Sequence, residues 1–261
     1  MNFSYKTAII GGGAMGQAVA AGLVDAGAAD ASRIVISTPH PDRCPILGGR
    51  GIDVINDNRA AVCDASLVII AVKPWILPDV IEEIKNSIDI ETTEVSVIVA
   101  GVSVWDLERM WGDRIPASLS IAMPNTAMIL RESMTFIVNA NGKSELAEEV
   151  FNSLGKVMVI PERLLAGAMA LASCGIAYAM RYVRAACEGG VELGFRASEA
   201  QAIIAQTLKG AVALLEQPGS HPETEIDKVT TPGGLTIRGL NEMEKNGFSA
   251  AVIAGLKASA K

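Results

Sequence analysis

The stretch KTAIIGGGAMGQAVAAGLVDAG, residues 6–27, decides the fold. An apolar run ending at Ile10 meets three glycines without a gap, and a helical pattern of small residues follows at once. Gly11, Gly13 and Gly16 stand at the spacing G-x-G-x-x-G. Between a strand and a helix that spacing is a dinucleotide-binding fingerprint. Gly11 permits the tight turn, Gly13 lets the backbone approach a pyrophosphate, and Gly16 allows the helix to pack closely on the sheet. The pyrophosphate then sits on the helix N-terminus, where Ala14 and Met15 open the first turn.

Outward from this unit, short apolar runs alternate with helical patterns. Strands are expected at 33–37, 52–55, 65–74, 95–101, 118–125, 134–140 and 156–161, and helices at 75–87, 103–111 and 144–154. That alternation predicts an α/β fold, a Rossmann-like doubly wound parallel sheet with helices on both faces. After Pro161 the pattern turns helical. A long apolar helix is expected over 162–190, a second capped by Ser198 and running to about 216, a turn-rich connector over 217–225, and closing helix to 261. The organisation is therefore a dinucleotide-binding domain over 1–160 and an all-α domain over 161–261. The first helix of the second domain has little surface fit for water, so a homodimer through that domain is expected, with a higher homo-oligomer open.

The second strand selects the cofactor. An NAD site expects an acid about 20 residues after the glycines, to hold the ribose 2′-hydroxyl. Here the strand end reads Ile36-Ser37-Thr38-Pro39-His40-Pro41-Asp42-Arg43. Ser37 and Thr38 offer hydroxyls and Arg43 can pair with a 2′-phosphate, which favours NADPH; Asp42 leaves NADH open. Three later strand ends, Ala71-Val72-Lys73-Pro74, Ala100-Gly101 and Met123-Pro124-Asn125, are expected at the ligand crevice.

Composition narrows the partners. The chain has 261 residues and a formal net charge of −7. Phosphate neutralisation needs a basic surface, so nucleic acid is not expected. Cys44, Cys63, Cys174 and Cys187 lack metal-ligand spacing and read as free thiols of a reducing compartment. No signal-peptide pattern opens the chain, and Gly, Pro or charge interrupts each apolar stretch before about 18 residues. No membrane span is expected, and a cytoplasmic location is.

One late stretch stands apart, KVTTPGGLTIRGL at 228–240. A Pro-Gly-Gly turn opening a helix supplies free backbone N–H groups, which bind an anion. With this motif the chain resembles the pyrroline-5-carboxylate reductase family. The likeness rests on the glycine turn with Met15, on Asn58, on AVKP at 71–74, AG at 100–101, MPN at 123–125, and above all VTTPGGLT at 229–236. It implies NADPH-dependent reduction of the C=N bond of a five-membered cyclic imine acid, giving proline, in an intertwined dimer. It implies that Asn58 and the strand-end residues bind cofactor. It also implies that Thr231, Gly233 and Gly234 hold the substrate carboxylate and that Thr236 hydrogen-bonds the ring nitrogen. Cys174 and Gly175 fall in the family's substrate-wall segment, which here reads ASCGIAY at 172–178 without the family's proline. The family's arginine before MPN is Ile121 here, and its glycine ahead of the next strand is Ser133.

These departures leave two other readings. One is a reductase of a different cyclic imine; the other is a dinucleotide-binding protein without turnover. A hydroxyacid dehydrogenase of similar layout fits poorly. That chemistry commonly places a lysine on the long helix after the sheet, and no Lys or His lies between 157 and 208.

Overall fold

The computed structural model describes residues 3–260, leaving aside the side chains of Pro45 and Ile46. Lys261, at the end of the expected closing helix, lies outside the described residues. The chain divides into two compact units, Met1–Ala168 and Met169–Lys261.

The first unit alternates strand and helix. Its order is β1 (Thr7–Ile10), α1 (Ala14–Asp25), β2 (Ile34–Ser37), α2 (Pro45–Gly48), β3 (Asp53–Ile55), α3 (Asn58–Val62), β4 (Leu67–Ile70), α4 (Leu77–Ile84), β5 (Glu94–Val97), α5 (Val104–Trp111), β6 (Ser118–Met123), β7 (Ser133–Asn141), α6 (Glu145–Asn152) and β8 (Gly155–Val159). The eight strands form one sheet in the order β3-β2-β1-β4-β5-β6-β7-β8. β1, β2, β4 and β5 are buried along their whole length, as strands covered on both faces must be. Ile9, Ile36, Leu67 and Ile69 of the sheet, Val19 and Leu23 of α1, and Phe151 of α6 belong to one apolar core.

The sheet is not parallel throughout. β7 runs antiparallel to β6, while β7 and β8 are parallel. The reversal is made by a 3₁₀ turn over Thr126–Leu130, which Asn125 caps by accepting from the Ala127 N–H at 3.0 Å. Arg131 leaves this turn in the left-handed region, at φ 59°. Ser133 braces it, its Oγ accepting from the Asn125 N–H at 3.1 Å.

A buried carboxylate organises the far side. Glu94 opens β5, is buried, and accepts from the N–H groups of Leu146 at 3.1 Å and Ala147 at 2.6 Å. It caps α6 from a distance, where a negative charge meets the positive end of the helix dipole. Burial nevertheless pushes its carboxyl above the usual glutamate range.

The second unit is helical: α7 (Leu165–Glu192, whose first turn lies at the end of the first unit), α8 (Ala197–Leu215), α9 (Pro222–Val229), α10 (Leu235–Lys245) and α11 (Phe248–Ser259). Four details differ from expectation. Ser198 is not the cap of α8. The cap is Arg196, two residues earlier, and its N–H is held by Glu199 Oε2 at 2.9 Å. The connector contains a helix, α9, because Pro222 suits a first helical position and His221 Nδ1 accepts from the Glu223 N–H. The closing helix is two helices, broken at Gly247, which takes φ 80°. Finally, α7 is the long helix expected, but its apolar stretch is not broken before about 18 residues. Over Glu162–Glu192 the helix is long and apolar enough to cross a membrane by length and composition alone, with 17% of its apolar window buried. A helix tolerates glycine at about 1 kcal/mol each, so Gly167, Gly175 and Gly189 do not end it.

Within this unit the only buried apolar residues among those described are Ala170 and Ala200. Leu171, Met180, Leu193, Val212 and Ile253 are exposed. A unit of this size cannot offset its chain entropy with two buried alanines.

Candidate active site

The order of the sheet reverses between β1 and β4, and a crevice opens at the carboxyl ends of those strands, as the switch-point rule requires. At its floor the Gly11 N–H donates to Ser37 O at 2.8 Å and the Ala71 N–H to Ile10 O at 2.8 Å, so three strand ends are tied together. Gly11 has φ 117°, and a Cβ there would lie 2.4 Å from Ala71 O. A Cβ at Gly16 would lie 2.0 Å from Gly11 O, so the helix meets the turn as closely as backbone allows. Gly13 is different. A Cβ there would meet nothing within 4 Å. Its backbone is extended, at φ −76° and ψ −177°, and it caps α1 without a side chain. The first amides of α1 thus face open space. Gln17 stabilises the turn from behind, its Nε2 donating to Gly12 O at 2.8 Å.

The crevice encloses a cavity of about 940 Å³. Gly11, Gly13, Ala14 and Met15 line it, as do Ser37, Thr38 and Arg43 from the second strand, Asn58 from α3, and Ala71, Val72, Lys73, Pro74 and Ala100 from the later strand ends. Asp42 sits on an exposed 3₁₀ turn and is not among the lining residues, whereas Arg43 and His40 are. Gly16 lies beneath the turn rather than on the cavity wall.

Gly101, Met123, Pro124 and Asn125 do not line the cavity. β5 ends at Val97, so Ile98, Val99 and Ala100 form the wall and Gly101 lies beyond it. Met123 and Asn125 are buried, the latter as the cap described above. Ile121, where the family has arginine, is wholly buried in β6.

One wall of the cavity carries no cofactor-binding motif in the sequence. Ile76, Asp79, Val80 and Glu83 reach the cavity from α4 and the turn before it. Their spacing of three, four and seven is a helical stripe that was available in the sequence. Leu77, Ile81 and Ile84 form the core stripe of the same helix, and nothing in the sequence says that the mixed stripe beside it faces a ligand.

In the helical unit, Thr231-Pro232-Gly233-Gly234 is a tight turn. The Gly234 N–H donates to Thr231 O at 2.9 Å. Gly233 takes φ 68°, the conformation that type II turns demand after proline. A Cβ at Gly234 would lie 2.5 Å from Thr231 Oγ1 and 3.0 Å from Thr231 O, so the turn is tight there as well. Gly234 then caps α10 without a side chain, leaving the first-turn amides free beside the exposed hydroxyl of Thr236. Cys174 and Gly175 lie on α7, both half-buried. Gly175 is not required by contacts within the chain, since a Cβ there would meet only Ala170 O at 3.8 Å. Tyr178 of the same segment hydrogen-bonds Ser259 Oγ and ties α7 to α11.

Two family models match the chain: NADP oxidoreductase coenzyme F420-dependent over residues 6–99, and pyrroline-5-carboxylate reductase dimerisation over residues 162–261. Pyrroline-5-carboxylate reductase 2 of Dictyostelium discoideum is 36% identical over 97% of this chain and 90% of its own length. Pyrroline-5-carboxylate reductase 1 of the same organism is 39% identical over 98% of this chain, which spans 49% of that longer protein. The crystal structure of Plasmodium falciparum pyrroline carboxylate reductase with NADP bound superposes with a TM-score of 0.87 at 25% identity, covering 98% of this chain and 96% of that one. The chain belongs to the pyrroline-5-carboxylate reductase family.

Proposed function

We propose that this chain reduces the C=N bond of 1-pyrroline-5-carboxylate with NADPH, forming L-proline, as a homodimer assembled through its helical unit and located in the cytoplasm. The observation that carries the chemistry is the Thr231–Gly234 turn, which opens α10 with uncapped amides and an exposed Thr236 hydroxyl in one helical turn. The family supplies the reaction, and the relative solved with NADP bound supplies the cofactor.

The cavity of the first unit fits a phosphorylated dinucleotide. Gly13 leaves open space over the amides of α1, which suits a pyrophosphate. Arg43 lines the cavity beside Ser37 and Thr38, and no acid stands at the end of the second strand, which favours the 2′-phosphate. Bound NADPH supplies the hydride that the imine carbon accepts.

The chain's own groups bind and orient. The free N–H groups of α10 hold the substrate carboxylate. The Thr236 hydroxyl hydrogen-bonds the ring nitrogen, on which the C=N electron pair comes to rest. Reduction of an iminium needs alignment and exclusion of water rather than a strong acid–base pair. The test is steady-state NADPH oxidation with pyrroline-5-carboxylate, run beside its six-membered homologue and an NADH control. Turnover on the five-membered imine is expected. NADPH binding without turnover on it overturns the proposal, and turnover only on the homologue reassigns the substrate.

A further inference from the structure

Charge is unevenly distributed around the cofactor cavity. The uncapped amides of α1 lie with Arg43 on the side suited to phosphate, yet α3 and α4 contribute Asp57, Asp79 and Glu83. Carboxylates repel a polyanion, so that wall is fit for the uncharged hydroxyl and amine donors of a dinucleotide. Two of its members are coupled. Asn58 Nδ2 donates to Glu83 Oε2 at 2.7 Å, from α3 to α4. The neighbouring Arg59 Nε donates to the Glu83 carbonyl at 3.2 Å, so both helices are clamped at one residue. Asp57 is occupied elsewhere, its Oδ1 accepting from the Ala60 N–H at 2.9 Å as the cap of α3.

An asparagine amide has two faces of similar shape and opposite polarity, and it turns to suit its partner. An ionised carboxylate only accepts. Here Glu83 accepts from the NH₂ end of Asn58, which holds the amide in one of its two orientations. Its carbonyl oxygen is then the end left to accept, and Asn58 lines the cavity. We propose that Glu83 is a positioning residue for the nucleotide cofactor, acting through Asn58, which it holds as an acceptor for a neutral hydroxyl or amine of the ligand. This rests on the assignment of the cavity to NADPH.

The test is direct fluorescence titration with NADPH, which needs no imine and separates this inference from the proposed reaction. If the wild-type chain fails to bind NADPH, the cavity assignment falls first. Given wild-type binding, Glu83→Gln is expected to raise the Kd about fivefold to tenfold, the worth of one hydrogen bond. Glutamine keeps the volume but can offer either polarity, so the amide of Asn58 is no longer fixed. Asn58→Ala is expected to weaken binding to a similar extent, and the double variant no further than Asn58→Ala alone. Arg59→Ala loosens the clamp without touching the pair. It is expected to lower the unfolding temperature and leave the coupling between residues 58 and 83 intact. Unchanged affinity in Glu83→Gln, or additive losses in the double variant, overturns the proposal.

Discussion

Gly13→Ala separates binding from folding, because the structure gives this glycine no packing role. A Cβ at 13 meets nothing within 4 Å, and the backbone there is extended and open to any residue. Alanine is a poorer helix cap than glycine by about 1 kcal/mol. It also restricts the unfolded chain, which returns about 0.4–1 kcal/mol. The net change is under about 1 kcal/mol, a shift of no more than about 2–4 °C in Tm. Binding is another matter. The methyl group projects into the space over the α1 amides, where a pyrophosphate would sit. Each charge-assisted hydrogen bond lost there is worth about 1.5–3 kcal/mol, so NADPH affinity is expected to fall by about 100-fold or more. Gly11→Ala is the contrast. At φ 117° with a Cβ 2.4 Å from Ala71 O, it should impair the fold itself. The assays are NADPH fluorescence titration and thermal unfolding on the same samples. Gly13→Ala binding NADPH within about threefold of wild type, less than 1 kcal/mol, would refute the placement of the phosphate.

Arg43→Ala should weaken NADPH by about 10–100-fold and leave NADH unaffected, read by titration with both; equal losses would show that Arg43 does not contact the 2′-phosphate. Thr236→Val should lower kcat by about 10–100-fold with NADPH affinity unchanged, and normal turnover would remove that hydroxyl from the site. Glu94 has a raised pKa, so the native state keeps its proton longer than the unfolded chain. Its contribution to stability therefore falls as pH rises from the ordinary glutamate value, about 4.3, through the raised one. Glu94→Gln should flatten that part of a Tm-versus-pH curve, and an unaltered slope would contradict the assignment; Asp25 and Asp106, held below the usual range, act at lower pH with opposite sign. Leu171→Glu, at a position 66% exposed in the single chain, should shift the species seen in sedimentation toward monomer, and an unchanged dimer would place Leu171 outside the interface.

The order of strands and helices was legible because buried parallel strands write themselves as continuous apolar runs, such as LVII at 67–70. The glycine turn was legible for a stronger reason: Gly11 and Gly16 are each required by a backbone contact shorter than a Cβ tolerates. Strand ends were less so. Apolarity continues past Val97 through Ile98 and Val99, so the strand end is blurred in the sequence, and Gly101 lies beyond the enclosed cavity. Met123 and Asn125 are buried at the turn into antiparallel β7, a local capping event without an apolar signature. The wall of α4 escaped because Asp79 and Glu83 look like an ordinary solvated face.

The two units solve the problem of burial differently, and the difference bears on activity. The first buries the central strands of its sheet, β1, β2, β4 and β5, along their whole length, and its cavity opens at the ends of those strands. The glycine turn that would hold the pyrophosphate thus stands on a core built within one chain. The second unit has two alanines as its only buried apolar residues among those described and leaves Leu193 81% exposed and Leu235 86% exposed, as suits a dimerisation domain. Leu235 is the first residue of α10, directly after the turn assigned to the substrate carboxylate. The ordering of that turn is consequently tied to assembly in a way that the phosphate-binding turn is not. Dilution below the dimer dissociation constant should then abolish imine reduction while NADPH binding persists, because only one of the two anion sites stands on a core that a single chain can supply.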